Sequence, residues 1–319
     1  MNSQLQETNM RAPIPVGLYR DEHGLDIEFA DLNLGDLLDP FLSQSILRQQ
    51  APQCQIRLKR SDLSNSASRP QVGGLIFHTG RCGSTLLAHA LKPYATVLSE
   101  PPALAGLFKP PHGSWSAEEL TAAADWLIGK WAASTQKPVI IKLTSWHTLF
   151  ADAICNACAP ASTVFLFRQP ADIALSLIRK PPGWGRQWLE KLERQLHTNN
   201  FSGDELRSLS QLIRQFLSSS RTLASDRHID VAYEDLVDGG IEAVFRHFGF
   251  KLSERNRRLL ANILEVDAKD ESRSAPFAPT KEEFHPFTTA FEGVFGIEGN
   301  AIYNSIWTGR AGTKGYAEY

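Results

Sequence analysis

The apolar run Gly74 to His78 (GLIFH) leads through a glycine-containing turn, Gly80-Arg81-Cys82-Gly83, into the helical stretch STLLAHAL that opens at Ser84-Thr85. A strand that hands over to a helix through such a turn constrains the fold more than any other feature of the chain. Glycines let the backbone approach an anion closely, and a helix N-terminus offers unpaired N–H groups at the positive end of its dipole. Ser84 and Thr85 add hydroxyl donors, and Arg81 adds a cation with several donors in a fixed fork. A nucleoside triphosphatase would read G-x-x-x-x-G-K-[ST], with Lys directly after the last Gly. Here Ser84 stands in that place and the cation is Arg81, two residues before Gly83, which weighs against a kinase or ATPase. The plainer alternative is a Gly-containing turn closed by a Ser/Thr cap.

The same grammar recurs downstream. Pro138 to Lys142 (PVIIK), Thr163 to Phe167 (TVFLF) and the shorter Asp230 to Ala232 alternate with helical segments such as AEELTAAADWLIGKWAAS and DIALSLIRK. Apolar strands buried on both faces and separated by helices predict an α/β fold: a three-layer parallel sheet with a P-loop-like phosphate loop. One such domain is expected over residues 71–319. Residues 1–70 read as a small N-terminal extension, a pair of strands and a helix, ending in the polar linker Ser61 to Gln71. Ala268 to Phe287, rich in charge and Pro, reads as a loop.

Lys plus Arg total 33 against 35 Asp plus Glu, a formal balance of −2, so nothing electrostatic points to nucleic acid or an anionic membrane. The first residues show no signal-peptide pattern, and no apolar run approaches the ~20 residues needed to span a bilayer. The expectation is a cytoplasmic protein. Cys54, Cys82, Cys155 and Cys158 are too few and scattered for a disulfide scaffold. The Cys155–Cys158 spacing lacks a second ligand pair for zinc, so buried thiols are expected there. Cys82, at a helix N-terminus beside Arg81, is expected to be alkylation-sensitive.

A second anion site is suggested by Phe167-Arg168-Gln169-Pro170. An Arg at the carboxyl end of a buried strand faces the crevice where α/β sheets bind ligands. Ser176 lies about two turns along the next helix. Together these residues resemble the PAPS-dependent sulfotransferase family, in its bacterial or carbohydrate-type branch (PAPS is 3′-phosphoadenosine 5′-phosphosulfate). The family's [KR]-x-G-[ST]-[ST] loop is matched by Arg81, Gly83, Ser84 and Thr85, with Gly80 and Cys82 in the same turn. Its 3′-phosphate pair is matched by Arg168 and Ser176. A third motif, Tyr233-Glu234-Asp235-Leu236, makes Tyr233 a candidate adenine contact. Arg310 and Gly312, in RAGTKG, are similar to the cytosolic branch's R-K-G-x-x-G, with Ala311 in place of its Lys; a coincidence in a tail is the other reading. Leu86 stands where cytosolic members carry an adenine-stacking Trp.

The resemblance implies sulfuryl transfer from PAPS to a hydroxyl or amine, releasing PAP (3′-phosphoadenosine 5′-phosphate), without a metal. Arg81 would face the bridging oxygen where leaving-group charge develops, and Lys142 would assist. Glu100, in VLSEPP, is favoured as general base over His147, in LTSWH, where the family's Lys-Thr-His spacing is not kept. Pro101 to Trp115 and Pro181 to Trp188 could frame an acceptor cleft or be packed surface loops. The expected partner is a small-molecule or metabolite acceptor. An ATP-dependent small-molecule kinase and an inert nucleotide-binding module remain as alternatives.

Overall fold

The computed structural model describes residues 11–310 apart from 38, 66–71, 110–114, 159–160, 184, 199–200, 202–203, 224 and 253–285. Five strands build the main sheet: β4 (Gly74–His78), β5 (Thr96–Ser99), β6 (Val139–Lys142), β7 (Ser162–Phe167) and β8 (His228–Ala232). All pair in parallel, in the order β5-β6-β4-β7-β8. The chain runs from β4 to one edge, returns, and then crosses to β7 on the other side. The carboxyl end of β4 therefore lies at a topological switch point, where α/β sheets open a crevice.

Alternation along the strands explains the three layers. Leu75, Phe77, Phe165 and Phe167 face one core, while Ile76, Val164 and Leu166 face the other. The second core is covered by α2 (Ser84–Leu91) and α10 (Ile241–His247), through Leu87, Leu91, Val244 and Phe245. On the first face lie α4 (Ala117–Ala133), α5 (Ala151–Ala157), α6 (Pro170–Arg179) and α8 (Asp204–Ser219). The start of α4 is set by its sequence: the Ser116 hydroxyl accepts from Glu119 N–H, and the Glu119 carboxylate answers to Ser116 N–H.

The N-terminal region holds three strands rather than the expected pair. β1 (Arg11–Arg20), β2 (Gly24–Asn33) and β3 (Gln53–Lys59) form an antiparallel sheet, with α1 (Leu42–Arg48) between the last two. β3 was not expected: Cys54, Ile56 and Leu58 do alternate with polar residues, but the run is short, and the structure leaves its first five residues exposed. The buried face of β1 and β2 (Ile14, Val16, Leu25, Ile27) joins the same core as the parallel sheet. Trp131 of α4 donates to the Pro15 carbonyl at 2.9 Å, and Trp115 donates to that of Asp21 at 2.7 Å. Trp115, expected near the acceptor cleft, is thus a buried latch on this sheet, under the guanidinium groups of Arg20 and Arg60.

A C-terminal helix, α11 (Pro286–Gly309), completes the first face and was not anticipated. It is broken at Gly296, whose φ of 63° an L side chain resists. Phe287, Phe291 and Phe295 stack along it, and Arg214 of α8 donates to the Val294 and Phe295 carbonyls freed at the break. Most of the expected 268–287 loop lies outside the described residues. No helix among the described residues is long and apolar enough to cross a membrane.

Candidate active site

Strand register places the candidate residues in one row. Ser99 and Ile76 both pair with Lys142, His78 with Leu166, and Phe167 with Ala232. The residues ending or leaving these strands then line the same sheet edge: Glu100 after β5, Lys142 at the end of β6, the Gly80–Thr85 loop after β4, Arg168 after β7, and Tyr233, which opens the one-turn helix α9 (Tyr233–Asp235), after β8.

The loop starts from His78, which is held at both ring nitrogens. Its Nδ1 accepts from Gly80 N–H at 3.0 Å, so the proton sits on Nε2, which reaches the Leu143 carbonyl at 2.7 Å. Gly80 and Gly83 take φ of 83° and 79°, the left-handed region. Arg81 takes it too, at 55°, a conformation that costs an L side chain roughly 1–2 kcal/mol. A Cβ on Gly83 would stand 2.9 Å from Leu236 and 3.1 Å from Tyr233, so only glycine fits there without displacement. The first intrahelical bond runs from Leu87 N–H to the Gly83 carbonyl at 3.0 Å. Amides of the preceding turn have no intrahelical acceptor, which is the chemistry of an anion cradle.

Arg81 donates to the Lys180 carbonyl just beyond α6. Burial lowers its guanidinium pKa, while the nearby Glu100 charge opposes that shift. Glu100 and Arg81 are therefore electrostatic neighbours. Lys142 is fully buried and donates to Glu100 Oε1 at 2.6 Å, and Glu100 N–H donates to the Lys142 carbonyl at 2.7 Å. Glu100 also sits at positive φ, 52°, immediately before Pro101. Strained residues of this kind persist where surrounding contacts over-determine them, and they cluster at functional sites.

Across the sheet, Arg168 is buried and pairs with Asp172 Oδ2 at 3.0 Å; its guanidinium lies 4.8 Å from the centre of the Tyr233 ring. Tyr233 in turn covers Gly83, so the two anion motifs meet through one aromatic ring. Ser176 is half-buried on α6, and the next residue, Leu177, approaches Gly80. Burial raises the Glu234 carboxyl, which Arg168 partly offsets. Arg310 is committed to Asp235 at 2.6 Å and to the Trp307 carbonyl at 2.6 Å, beside the Tyr233 turn. Gly312 lies outside the described residues.

Two expectations change. The Cys82 side chain is completely buried among Leu87 and Leu166, and desolvation pushes its thiol up to about 11. The helix terminus does not activate it, because the thiol points into the core and donates to the Leu166 carbonyl at 3.3 Å. His147 is also fully buried, with the tilted ring of Trp146 on one side and Phe108 edge-on at another, and desolvation and His78 drive its pKa down to about 3. Thr144 N–H approaches its Nδ1 at 3.4 Å. A ring so enclosed has no open path to an acceptor. Cys158 is buried as expected, whereas Cys155 is only half-buried; burial raises both thiols, that of Cys155 to about 12.

Sequence reasoning missed His78, Asp172 and the Lys180 carbonyl, none of which carries a motif. Of the cleft segments, residues 110–114 and 184 lie outside the described residues, and Arg186 to Trp188 begin helix α7 (Arg186–Thr198). Among the described residues, no group of three or more His, Cys, Asp or Glu is placed to hold a metal ion.

No protein-family model matches the chain, and no curated protein matches it. Among solved structures it is similar to the sulfotransferase domain from the curacin biosynthetic pathway, at 12% identity and TM-score 0.44 over 75% of this chain and 99% of that one. It is likewise similar to the sulfotransferase domain from the Synechococcus PCC 7002 olefin synthase, at 15% identity and TM-score 0.44 over 76% and 96%. A third is the sulfotransferase STF1 from Mycobacterium tuberculosis H37Rv, at 16% identity and TM-score 0.36 over 69% and 75%.

Proposed function

We propose that this chain is a sulfotransferase that moves a sulfuryl group from PAPS to a hydroxyl or amine of a small acceptor, releasing PAP. The observation that carries the proposal is the row at the carboxyl edge of the sheet: Glu100, Lys142, the Arg81 loop, Arg168 and Tyr233 in spatial order. It offers two cationic anion sites that share one aromatic ring, Tyr233, with a carboxylate at the opposite end. In this reading the 79–85 loop takes the 5′-phosphosulfate, Arg168 and Ser176 take the 3′-phosphate, and Tyr233 lies beside the adenine. Asp172 now shares Arg168 and would yield part of it to the phosphate. Arg310 supports that end through Asp235. The whole assignment is of a cytoplasmic enzyme.

The chemistry then follows from placement. Glu100 accepts the proton of the acceptor's O–H or N–H as that atom bonds to sulfur. The bond from sulfur to the bridging oxygen breaks, and its electron pair stays on the PAP phosphate. Arg81 and Lys142 neutralise the charge gathering there, in a buried setting where such contacts are stronger than in water. Glu100 suits the base role better than His147, because it is partly open to solvent and adjoins both cations, whereas His147 is enclosed.

The test is calorimetric titration with PAP, 5′-AMP and ATP–Mg²⁺. PAP should bind at micromolar concentration and the other two far more weakly. Arg168→Ala should remove most of PAP's advantage over 5′-AMP, about 1.5–3 kcal/mol for a lost charge-assisted contact. Preference for ATP–Mg²⁺, or equal loss for PAP and 5′-AMP in Arg168→Ala, would overturn the reading.

A further inference from the structure

The N-terminal sheet has no place in the chemistry above, yet it touches the reacting edge at two points. The first is Phe41, which immediately precedes α1: its ring centre lies 4.9 Å from Lys142 Nζ. The second is α3 (Pro102–Leu107), which follows Glu100 with only its N-cap Pro101 between them and lies against β1, so closely that a Cβ on Gly106 would collide with the Leu18 carbonyl. The turn carrying Phe41 is itself fastened. Asp39 accepts from Ser45 Oγ at 2.6 Å and from Arg48 Nε at 2.9 Å, and its carbonyl accepts from Lys92, at the end of α2, at 2.8 Å.

A fully buried ammonium needs compensation on every side. Among the described residues the Lys142 ammonium makes one hydrogen bond, to Glu100, and Phe41 presents the negative face of its ring to another side. We propose that the N-terminal extension is a working part of the active site: Phe41 is the cover that keeps water from the Lys142 ammonium, reserving its remaining N–H donors for the group being transferred. The cover itself follows from the Phe41–Lys142 contact; the use of the donors rests on the sulfuryl-transfer reading. Phe41 acts through Lys142 and is a positioning residue.

Trace acetylation of the full chain with acetic anhydride, read lysine by lysine by mass spectrometry, tests this without any nucleotide. Wild-type Lys142 should react at least about tenfold more slowly than the exposed Lys109 and Lys137, because a buried amine is screened from reagent. Phe41→Ala should raise the Lys142 rate about fivefold or more with Lys109 and Lys137 unchanged, and Phe41→Tyr should restore the wild-type rate because it keeps the ring. If Phe41→Ala fails to fold, Phe41→Leu, which keeps apolar packing but loses the aromatic face, should still raise the Lys142 rate about twofold. A Lys142 rate unchanged in the folded Ala or Leu variant, or already equal to Lys109 in the wild type, would overturn the proposal. Wild-type protein that binds no PAP while Phe41→Ala uncovers Lys142 would sink sulfuryl transfer and support the cover.

Discussion

Replacing Glu100 by Gln tests whether the Glu100–Lys142 contact is a coupled charge pair or a mere neighbourhood. At 2.6 Å and an effective dielectric of about 20, the attraction is on the order of 6 kcal/mol before desolvation is subtracted. Lys142 has lost all its exposure, while the Glu100 side chain keeps 26%. Removing one partner of a buried pair costs about 3–5 kcal/mol, and less where that partner is partly hydrated. Gln retains an oxygen able to accept from Nζ, so Glu100→Gln should cost about 2–3 kcal/mol. Lys142→Met fills the stem's volume without the charge and should cost about 1 kcal/mol. In the double variant no orphaned charge remains, so the pair should couple by about 2 kcal/mol. Urea unfolding of the four proteins, followed by tryptophan fluorescence and far-UV circular dichroism together, gives the cycle. A coupling below about 0.5 kcal/mol would refute the argument, since independent sites add within that margin. The same Glu100→Gln protein should largely keep its PAP affinity and lose transfer, because the amide oxygen still accepts from Lys142 while no carboxylate remains to take the acceptor's proton.

Gly83→Ala and Gly80→Ala share the same left-handed penalty of about 1 kcal/mol, but only the former pushes a Cβ into Tyr233 and Leu236. PAP titration should therefore show Gly83→Ala weaker than Gly80→Ala by about tenfold or more, and equal losses would remove Tyr233 from the loop's packing. Iodoacetamide at pH 8 should label the exposed Cys54 and spare Cys82, whose thiol, near 11, is ionised to roughly one part in a thousand and is buried as well. Peptide mapping that found both labelled alike would mean the loop opens in solution. His147 gives a signed pH effect: the unfolded chain gains a proton as pH falls through 6.5, and the folded one only near 3. Its contribution is fully present above 6.5 and is lost on acidification by up to about 1.4 kcal/mol per pH unit. Denaturation between pH 7 and 4 should be less pH-sensitive in His147→Gln, with His247, lowered by burial, adding a common background; identical slopes would mean His147 is not held neutral.

The parallel sheet was legible because its strands are short, wholly apolar runs followed by turn chemistry, as in GLIFH before Gly80 and TVFLF before Arg168. The capping box of Ser116 with Glu119 lay in the local sequence too, but only the structure brought it out. β3 was missed although Cys54, Ile56 and Leu58 alternate with polar residues, because the run is short and ends in a charged, Ser-rich stretch; α11 was missed because glycines and aromatics blur its helical period. Cys82 was misread since sequence gives its position at a helix start but not the direction of its side chain.

The sequence by itself determined the loop's glycines, the two arginines, the carboxylate and the α/β alternation, because each is written in residues close together along the chain. Only the tertiary structure decided that β6 lies between β5 and β4. That order brings Glu100 to Lys142 across 42 residues and sets both beside Arg81. It also decided that Phe41 reaches Lys142, and that His147 and Cys82 are shut in the core. Those outcomes depend on which surfaces leave water together, a sum over distant contacts that no local spacing encodes.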